Sequence, residues 1–365
     1  MSMDAQNTAT TRAVESAAPA AQPAGPAPFL TVMVPVYNGE EYLADALRSI
    51  LTQPCRDLEV LVLNDGSTDR TLAIAQDVAA RDARVRVFSH PNVGIGSNRN
   101  GGFEHVRGRC LMFLDDDDVL LPNFYTEHTR ASIGKLFDLG VEMIVPARLF
   151  ANEGLTNAQI QRIPLEGVFP GASRASINLP YEFSTMIYSA DLVEREHIRF
   201  CDIFPEMESI FRHKAVFCAP YVAMTNKLWY LVRRDNPTQL TKVWNVSQML
   251  RVRAQEYARL VTWHKERGTT GEVLEEIERR AQEAKAENDA HIAAGSPEPE
   301  PEPKEGFFAR RRRKRQEQRD YQTWVESMPS IKSFYYTPEQ VAEVFDELVA
   351  EAKEAVIGRG GDTTA

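Results

Sequence analysis

Short apolar runs alternate with longer amphipathic stretches along residues 30–114. A short apolar run predicts a buried β-strand, and apolar residues recurring every three or four positions predict a helix. The predicted strands cover 30–36, 58–63, 85–88 and 110–114, and the predicted helices cover 40–51, a stretch capped by Ser67 or Thr68 that ends near Ala80, and 96–106. Because the strands are apolar on both faces, the alternation predicts an α/β fold with a mostly parallel sheet covered by helices.

The second half of the chain has a helical pattern. One apolar stripe over 246–268 is predicted to pack on the α/β domain, and a charged helix is predicted over 271–290. Alternate prolines in 297–303 exclude a helix and predict a stiff, extended linker. The segment Thr337-Pro338-Glu339-Gln340 is typical of a capping box. It opens a last helix that would dock on the α/β domain or mediate oligomerisation.

Polar turns follow three of the predicted strands. Tyr37-Asn38 follows the first, Asp65-Gly66 the second, and four consecutive aspartates at 115–118 the fourth. Ligands of open α/β sheets bind beyond the carboxyl ends of the strands, so the three turns predict a site at one rim. Adjacent carboxylates indicate a hard divalent cation such as Mg²⁺ or Mn²⁺. A solvated acidic turn is the alternative for the aspartates taken alone.

The common nucleotide-binding signatures do not fit the chain. No G-x-G-x-x-G follows the first strand, and no P-loop sequence occurs anywhere. The glycines at 94–96 follow the third strand and match such a signature only weakly. A dinucleotide-binding domain is therefore not indicated.

Four short motifs occur in order along residues 34–118. They are Val34-Pro35-Val36-Tyr37-Asn38, then Asn64-Asp65-Gly66-Ser67-Thr68-Asp69, then Asn92-Val93-Gly94 leading to Arg99-Asn100-Gly101-Gly102, then Phe113-Leu114 before the aspartates. In order and spacing the motifs resemble the family 2 glycosyltransferases, strongly over 29–125 and more weakly to about 245. The resemblance implies a GT-A fold and an inverting transfer from a nucleotide-diphosphate sugar, with a UDP-sugar as the favoured donor and Mn²⁺ or Mg²⁺ as cofactor.

The resemblance also implies which residues bind the nucleotide. Pro35, Tyr37 and Asp65 would hold it, with Asp65 accepting a hydrogen bond from the uracil imide. Arg99 would lie near the nucleotide.

The four aspartates receive separate roles from the same resemblance. Asp115 would lie near the ribose or the metal, and Asp116 would face the nucleotide from the variable position of the motif. Asp117 is the first choice for metal ligand, together with Asp115. Asp118 would hold the loop or touch the donor sugar.

The position of the catalytic base departs from the family pattern. Inversion by direct displacement needs a base for the proton of the acceptor hydroxyl, and the family usually supplies it from a Glu-Asp pair at a helix start. This chain has Glu206-Met207-Glu208 there, with Met207 at the place of the aspartate. Glu208 is the first candidate for the base and Glu206 the second. The alternatives are two solvated carboxylates favoured by the helix dipole, and a site that no longer transfers sugar.

Two consecutive arginines follow the aromatic pair Trp229-Tyr230. Arg233 and Arg234 are predicted to bind the diphosphate, because a guanidinium bonds phosphate oxygens bidentately. Two ordinary surface arginines are the alternative.

Composition narrows the class of protein. The 365 residues are 43% hydrophobic, which suffices for a sizeable core, and the net charge of −10 argues against a dedicated nucleic-acid binder. The four cysteines form no C-x-x-C pair, which predicts reduced thiols and a cytoplasmic location. Residues 1–28 lack the features of a signal peptide, and no apolar stretch reaches the roughly 20 residues that span a bilayer. We therefore expect the chain not to cross a membrane by itself.

A basic segment lies between the predicted linker and the last helix. Six consecutive basic residues, 310–315, follow Phe307 and Phe308. Clusters of this size are typical of anionic-lipid binding, so peripheral attachment to a membrane is favoured over a solvated tether or nucleic-acid contact.

These observations lead to one functional hypothesis and two alternatives. The hypothesis is a glycosyltransferase whose acceptor is a glycan, a cell-wall polymer or a lipid-linked molecule. The alternatives are a catalytically silent homologue that binds nucleotide sugars or acts as a scaffold, and an adaptor that uses the basic segment. The predicted division is a disordered tail 1–28, a GT-A domain 29–245, a helical extension 246–290, a linker with the basic segment 291–319, a helical segment 320–357 and a disordered tail 358–365.

Overall fold

The structure of the protein is a computed structural model. It describes residues 26–151, 158–163, 165–173, 184–201, 206–233, 246–294 and 336–357, without the side chains of residues 206, 207, 248 and 357. The predicted disorder of 1–28, apart from its last three residues, and of 358–365 lies outside the described residues. So do the proline-rich linker, the basic segment and Arg234.

Strands and helices alternate over the first part of the chain, as predicted. The strands are β1 Leu30–Val36, β2 Leu58–Asp65, β3 Val85–His90, β4 Cys110–Phe113, β5 Val119–Leu120, β6 Val141–Pro146, β7 Arg148–Ala151, β8 Gln159–Gln161, β9 Gly167–Pro170, β10 Ile187–Ser189, β11 Tyr221–Thr225 and β12 Tyr230–Arg233. The helices are α1 Leu43–Leu51, α2 Thr71–Arg81, α3 Ile95–Gly102, α4 Glu127–Asp138, α5 Ala190–Arg195, α6 Glu206–Cys218, α7 Val246–Glu266, α8 Glu272–Ala293 and α9 Pro338–Ile357, and a 3₁₀ turn, Phe103–His105, follows α3.

Within the described residues, eight strands form one sheet in the order β3-β2-β1-β4-β10-β6-β11-β9. The first four strands of that order are mutually parallel. β10 runs antiparallel between β4 and β6, and β9 is an antiparallel edge strand. The predicted mostly parallel sheet is confirmed. A smaller sheet, β5-β12-β7-β8, lies beside it and carries residues 230–233.

Both faces of the main sheet are buried. Val32 and Val34 pack with apolar residues of α1 and α4 on one face, whereas Met33 packs with residues of α5 and α6 on the other. All residues of β1 and β2 are buried, which accounts for the continuous apolar runs that predicted them. Because β1 runs parallel to its neighbours β2 and β4, the carboxyl ends of these three strands meet at one rim of the sheet.

The predicted cap of α2 is wrong. The N-cap position is Arg70, which makes no side-chain cap bond, and the Thr71 amide instead donates to the Asp69 carboxylate at 2.9 Å. The Ser67 hydroxyl accepts from the Asn38 amide of the neighbouring turn, and the Thr68 amide donates to the Asn38 side chain. A contact with another turn thus replaces the local cap that the sequence favoured.

The C-terminal helices pack on the α/β domain. In α7, Leu260 and Tyr257 contact Ile210 of α6, as the predicted stripe requires. Helix α9 docks against α4 and β9, and Thr337 and Gln340 exchange the two hydrogen bonds of the predicted capping box. None of the helices in the described part of the chain combines the length and the apolar character needed to cross a bilayer.

Candidate active site

The turns after β1 and β2 are joined by hydrogen bonds. The Asn38 amide donates to Ser67 Oγ at 2.9 Å, and the Thr68 amide donates to Asn38 Oδ1 at 2.8 Å. Asn38 adopts a positive φ of 55°, a conformation that asparagine tolerates better than most residues. The two turns therefore form one continuous edge of the site.

The carboxylate of Asp65 fixes a third loop. Its two oxygens accept hydrogen bonds from the amides of Val93 at 2.8 Å and Gly94 at 3.0 Å, and the residue is 3% exposed. Beside it, Tyr37 and Val93 are 51% and 54% exposed. The predicted contact of Asp65 with uracil remains a prediction. In such a contact, the Asp65 oxygens would accept a hydrogen bond from uracil in addition to those from the loop before α3. Pro35 lies buried within β1.

Residues 115–118, hereafter the acidic turn, follow β4. The Asp118 amide donates to the Asp115 carbonyl at 3.1 Å, which closes the turn. The buried Asp118 carboxylate accepts from the Tyr230 hydroxyl at 2.9 Å and from the Arg233 amide at 2.8 Å. Of the two predicted roles for Asp118, holding the loop is the one that these bonds serve.

Negative charge accumulates in the acidic turn. The pKa of Asp116 lies well above its ordinary value because the carboxyl is buried and stands beside Asp117 and Asp115. The same two causes raise the pKa of Asp118. The Asp116 carboxylate also packs against Gly39, where an added Cβ would stand 1.9 Å from Oδ2. A cation at this turn would offset the repulsion.

The donor set fits a hard divalent ion. Carboxylate oxygens are the ligands that Mg²⁺ and Mn²⁺ prefer, and Mg²⁺ is commonly held by one or two carboxylates together with substrate phosphates. Within the described ranges, no three histidine, cysteine, aspartate or glutamate side chains are arranged to hold a metal ion by themselves. The carboxylates of the acidic turn are nevertheless ligands of the type that such an ion prefers.

Arg99 links the acidic turn to helix α6. Its guanidinium donates to Asp115 Oδ1 at 2.8 Å and to Glu208 Oε1 at 2.9 Å, and the residue is fully buried. The Phe200 ring lies 5.3 Å below the guanidinium carbon. The structure therefore brings Glu208 to the acidic turn. The side chains of Glu206 and Met207 are outside the described part of the chain.

Arg233 also contacts the acidic turn. Its Nε donates to the Asp117 carbonyl at 2.8 Å, and its guanidinium carbon lies 4.6 Å from the centre of the Tyr42 ring. The residue is 5% exposed. The predicted contact with a diphosphate remains a prediction for this anchored side chain.

Sequence reasoning missed the role of Tyr230. Its buried hydroxyl accepts from the Asp115 amide at 3.1 Å while donating to Asp118, so it joins both ends of the acidic turn. A buried tyrosine hydroxyl needs a partner, and that rule is the only signal the sequence offered. The sequence does not indicate that Asp118 is the partner, because Asp118 lies 112 positions away along the chain.

Comparison with known proteins agrees with the geometry. A family model described as Glycosyl transferase family 2 matches residues 31–191. The uncharacterized glycosyltransferase EpsJ of Bacillus subtilis is 28% identical over 266 residues, which covers 68% of this chain and 74% of EpsJ. The next two sequence relatives, both glycosyltransferases, are matched over only 30% and 13% of their own lengths.

Chondroitin synthase of Escherichia coli and a crystal structure of TarS 1–349 from S. aureus are also similar. The first is 42% identical over 96 residues, which covers 26% of this chain and 14% of that protein. The second, solved in complex with UDP-GlcNAc, superposes with a TM-score of 0.56 at 17% identity and covers 92% of this chain and 93% of that one. The shared architecture confirms the predicted GT-A fold. Residues 31–191 thus match glycosyl transferase family 2, and the similarity to a glycosyltransferase extends over 266 residues of the chain.

Proposed function

We propose that the protein transfers a sugar from a UDP-sugar to a glycan, cell-wall polymer or lipid-linked acceptor, with inversion at the anomeric carbon and with a divalent cation at the acidic turn. The observation that carries the proposal is the buried Arg99, which bonds both Asp115 and Glu208. One guanidinium thus joins the rim proposed for the donor to the carboxylate proposed as base.

The donor end of the proposal is supported by the rim around Asp65. Tyr37 and Val93 expose apolar surface beside the loop that Asp65 holds, and a nucleotide base can cover such surface. TarS 1–349, which shares the fold, was solved with UDP-GlcNAc. The name of chondroitin synthase supports a glycan as acceptor.

The proposed cation would be held by Asp115 and Asp117. When bound, Mn²⁺ or Mg²⁺ supplies Lewis-acid stabilisation to the charge that develops on the departing diphosphate. The pKa of the Asp116 carboxyl is raised because the group is buried and because Asp117 and Asp115 stand beside it, and a cation at the turn would offset the second of these causes. Arg233 adds a fixed positive charge at the same turn.

Glu208 is the proposed base. In a direct displacement, the acceptor oxygen bonds to the anomeric carbon while the bond from that carbon to UDP breaks and UDP keeps its electron pair. The proton of the acceptor hydroxyl passes to the Glu208 carboxylate. The ion pair with Arg99 supports this role, because it fixes the carboxylate one residue beyond Met207.

The experiment measures transfer and hydrolysis of UDP-sugars with Mn²⁺. We expect Asp117→Ala to lose turnover, and Glu208→Gln to lower kcat by about 10²–10⁴-fold, the usual contribution of a positioned base. UDP affinity of Glu208→Gln should stay near that of the wild type. Glu194→Gln changes a carboxylate that is 66% exposed on α5 and serves as the matched control.

Two other functions predict different results. Met207 motivates a catalytically silent homologue, for which UDP-sugar binds without turnover and Glu206→Ala and Glu208→Ala change nothing. An adaptor built on the basic segment requires that deleting 304–319 abolishes function while Asp117→Ala does not.

A further inference from the structure

Helix α9 lies outside the residues that match the family, yet it packs against Trp229, the residue before Tyr230. Phe345 of α9 is 1% exposed, and its ring centre lies 5.9 Å from that of Trp229 and 6.5 Å from that of Phe124. These rings, with Val341 and Val344, line a cavity of only about 10 Å³. The contact is therefore closely packed, and shortening Phe345 would leave Trp229 without a neighbour on that side.

Trp229 is held from several directions. Its indole nitrogen donates to the Thr185 carbonyl at 3.0 Å, and its own carbonyl accepts from the Leu121 amide at 2.8 Å. Phe124 stacks on its ring with the centres 5.2 Å apart. Leu121 and Phe124 come shortly after the acidic turn, so Phe345 closes a cluster that already includes the chain leaving that turn.

The next residue, Tyr230, makes the connection to the acidic turn itself. Its hydroxyl accepts from the Asp115 amide at 3.1 Å and donates to Asp118 Oδ2 at 2.9 Å. Because Trp229 and Tyr230 are consecutive, a shift of the indole displaces the backbone that carries this hydroxyl. Hydrogen bonds weaken steeply with misalignment, so a small shift suffices to loosen the turn.

We propose that Phe345 is a positioning residue for the donor site. The C-terminal helix α9 packs on Trp229, keeps the Tyr230 hydroxyl between Asp115 and Asp118, and so maintains the acidic turn in the conformation that receives a metal-bound diphosphate. The packing of Phe345 on Trp229 does not depend on the proposed function, whereas its effect on donor binding rests on that function.

The first measurement is hydrogen exchange of the full-length protein without nucleotide. We expect Phe345→Ala to accelerate exchange of the amides at 114–120 by about tenfold relative to those of β1 and β2 in the same sample, since a tenfold change corresponds to about 1.4 kcal/mol of local opening. The matched control is Leu348→Ala. Leu348 is buried on the same helix but does not line the cavity beside Trp229, so this variant should leave 114–120 unchanged.

The second measurement compares UDP in the presence of Mn²⁺ with uridine, which has no phosphate. Phe345→Ala and Tyr230→Phe should each weaken UDP with Mn²⁺ about fivefold to tenfold and leave uridine unchanged. Phe345→Leu, which refills most of the space, should restore UDP affinity. A general loss of stability would weaken both ligands alike.

The results separate the positioning role of Phe345 from the proposed function. Equal exchange at 114–120 in the Phe345→Ala and Leu348→Ala proteins would overturn the positioning role, as would equal losses for uridine and UDP. If the wild-type protein binds no UDP with Mn²⁺, the proposed function fails, and the exchange result still decides whether Phe345 positions the acidic turn.

Discussion

Two glycines at the rim show how single residues shape the site. Gly66 follows Asp65 and has φ of 69°, and Gly94 precedes α3 and has φ of 88°. A Cβ on Gly66 would stand 2.6 Å from the Asn92 amide nitrogen, whereas a Cβ on Gly94 would meet nothing within 4 Å. Both positions have a positive φ that residues with a Cβ rarely adopt, but only Gly66 also requires the space.

The pair makes a matched test. We expect Gly94→Ala to lower the free energy of unfolding by roughly 1–3 kcal/mol, the usual cost of a sparsely populated backbone conformation for a residue with a Cβ. Gly66→Ala should lose distinctly more, because backbone atoms at the Asn92 amide must also move. Urea denaturation measures both. Equal losses would contradict the close approach at Gly66.

Individual roles were harder to predict than residue identities. The motifs placed Asp65, Arg99 and Asp115 at one rim, and the structure brings Arg99 and Asp115 into contact. That Arg99 also reaches Glu208 was not predictable, because the two residues are 109 positions apart. A sequence motif reports which residues are near a ligand, but only the fold shows which neighbours they hold.

At the scale of elements, helix α6 is joined to α7 by two buried histidines. The Nε2 atoms of His213 and His264 are 2.8 Å apart, and Nδ1 of His264 lies 3.1 Å from Thr269 Oγ. Burial lowers the pKa of His264 to about 4 and that of His213 well below its ordinary value. Nearby cations act in the same direction: Arg212, Lys214, Arg267 and Arg280.

This pair should make stability depend on pH. Between about pH 6.5 and pH 4 the unfolded chain binds protons at these histidines that the folded protein does not, so the free energy of unfolding falls as the pH falls. We expect a loss of roughly 2 kcal/mol from this source, fully recovered above about pH 6.5. The measurement is urea denaturation at pH 7.5 and pH 4.5 in the wild type, His264→Gln and the exposed control His128→Gln.

The quantity compared among the three proteins is the difference in the free energy of unfolding between pH 7.5 and pH 4.5. Carboxylates also titrate in this range, but they do so in all three proteins. His264→Gln should reduce the difference and His128→Gln should not. A wild-type difference retained in His264→Gln would rule out the histidine pair as its source.

The hydrophobic pattern predicted the elements of the first half well and their packing less well. β1 was predicted with its observed bounds, because a strand buried on both faces has an uninterrupted apolar run. The insertion of β10 between β4 and β6 was not predicted, since a three-residue strand carries too little periodicity.

At the scale of the molecule, the C-terminal helices are attached at different places. Helices α7 and α8 form a hairpin on α6, whereas α9 lies against α4 and β9. Their amphipathic patterns predicted that one face of α7 and of α9 would be buried. The patterns left open whether α9 docks or oligomerises, because an apolar stripe does not identify its partner.

The basic segment predicts a property of the whole molecule, which is attachment to a membrane. We expect the full chain to bind vesicles containing phosphatidylserine and to lose most of this binding when residues 310–315 are deleted, at about 1 kcal/mol for each basic residue near the surface. Turnover of UDP-sugar in solution should not change. Flotation with phosphatidylcholine vesicles is the control, and equal binding to both lipids would contradict an electrostatic attachment.

The hydrogen bonds between Asn38 and its partners Ser67 and Thr68 have a consequence for how this rim can vary over evolution. Each turn supplies hydrogen-bond partners to the other, so exchanging Asn38 for a residue without a side-chain oxygen removes the acceptor of the Thr68 amide. We therefore expect substitutions in the first turn to be accompanied by compensating ones in the second. Positions 38, 67 and 68 should co-vary among relatives as a single inherited unit.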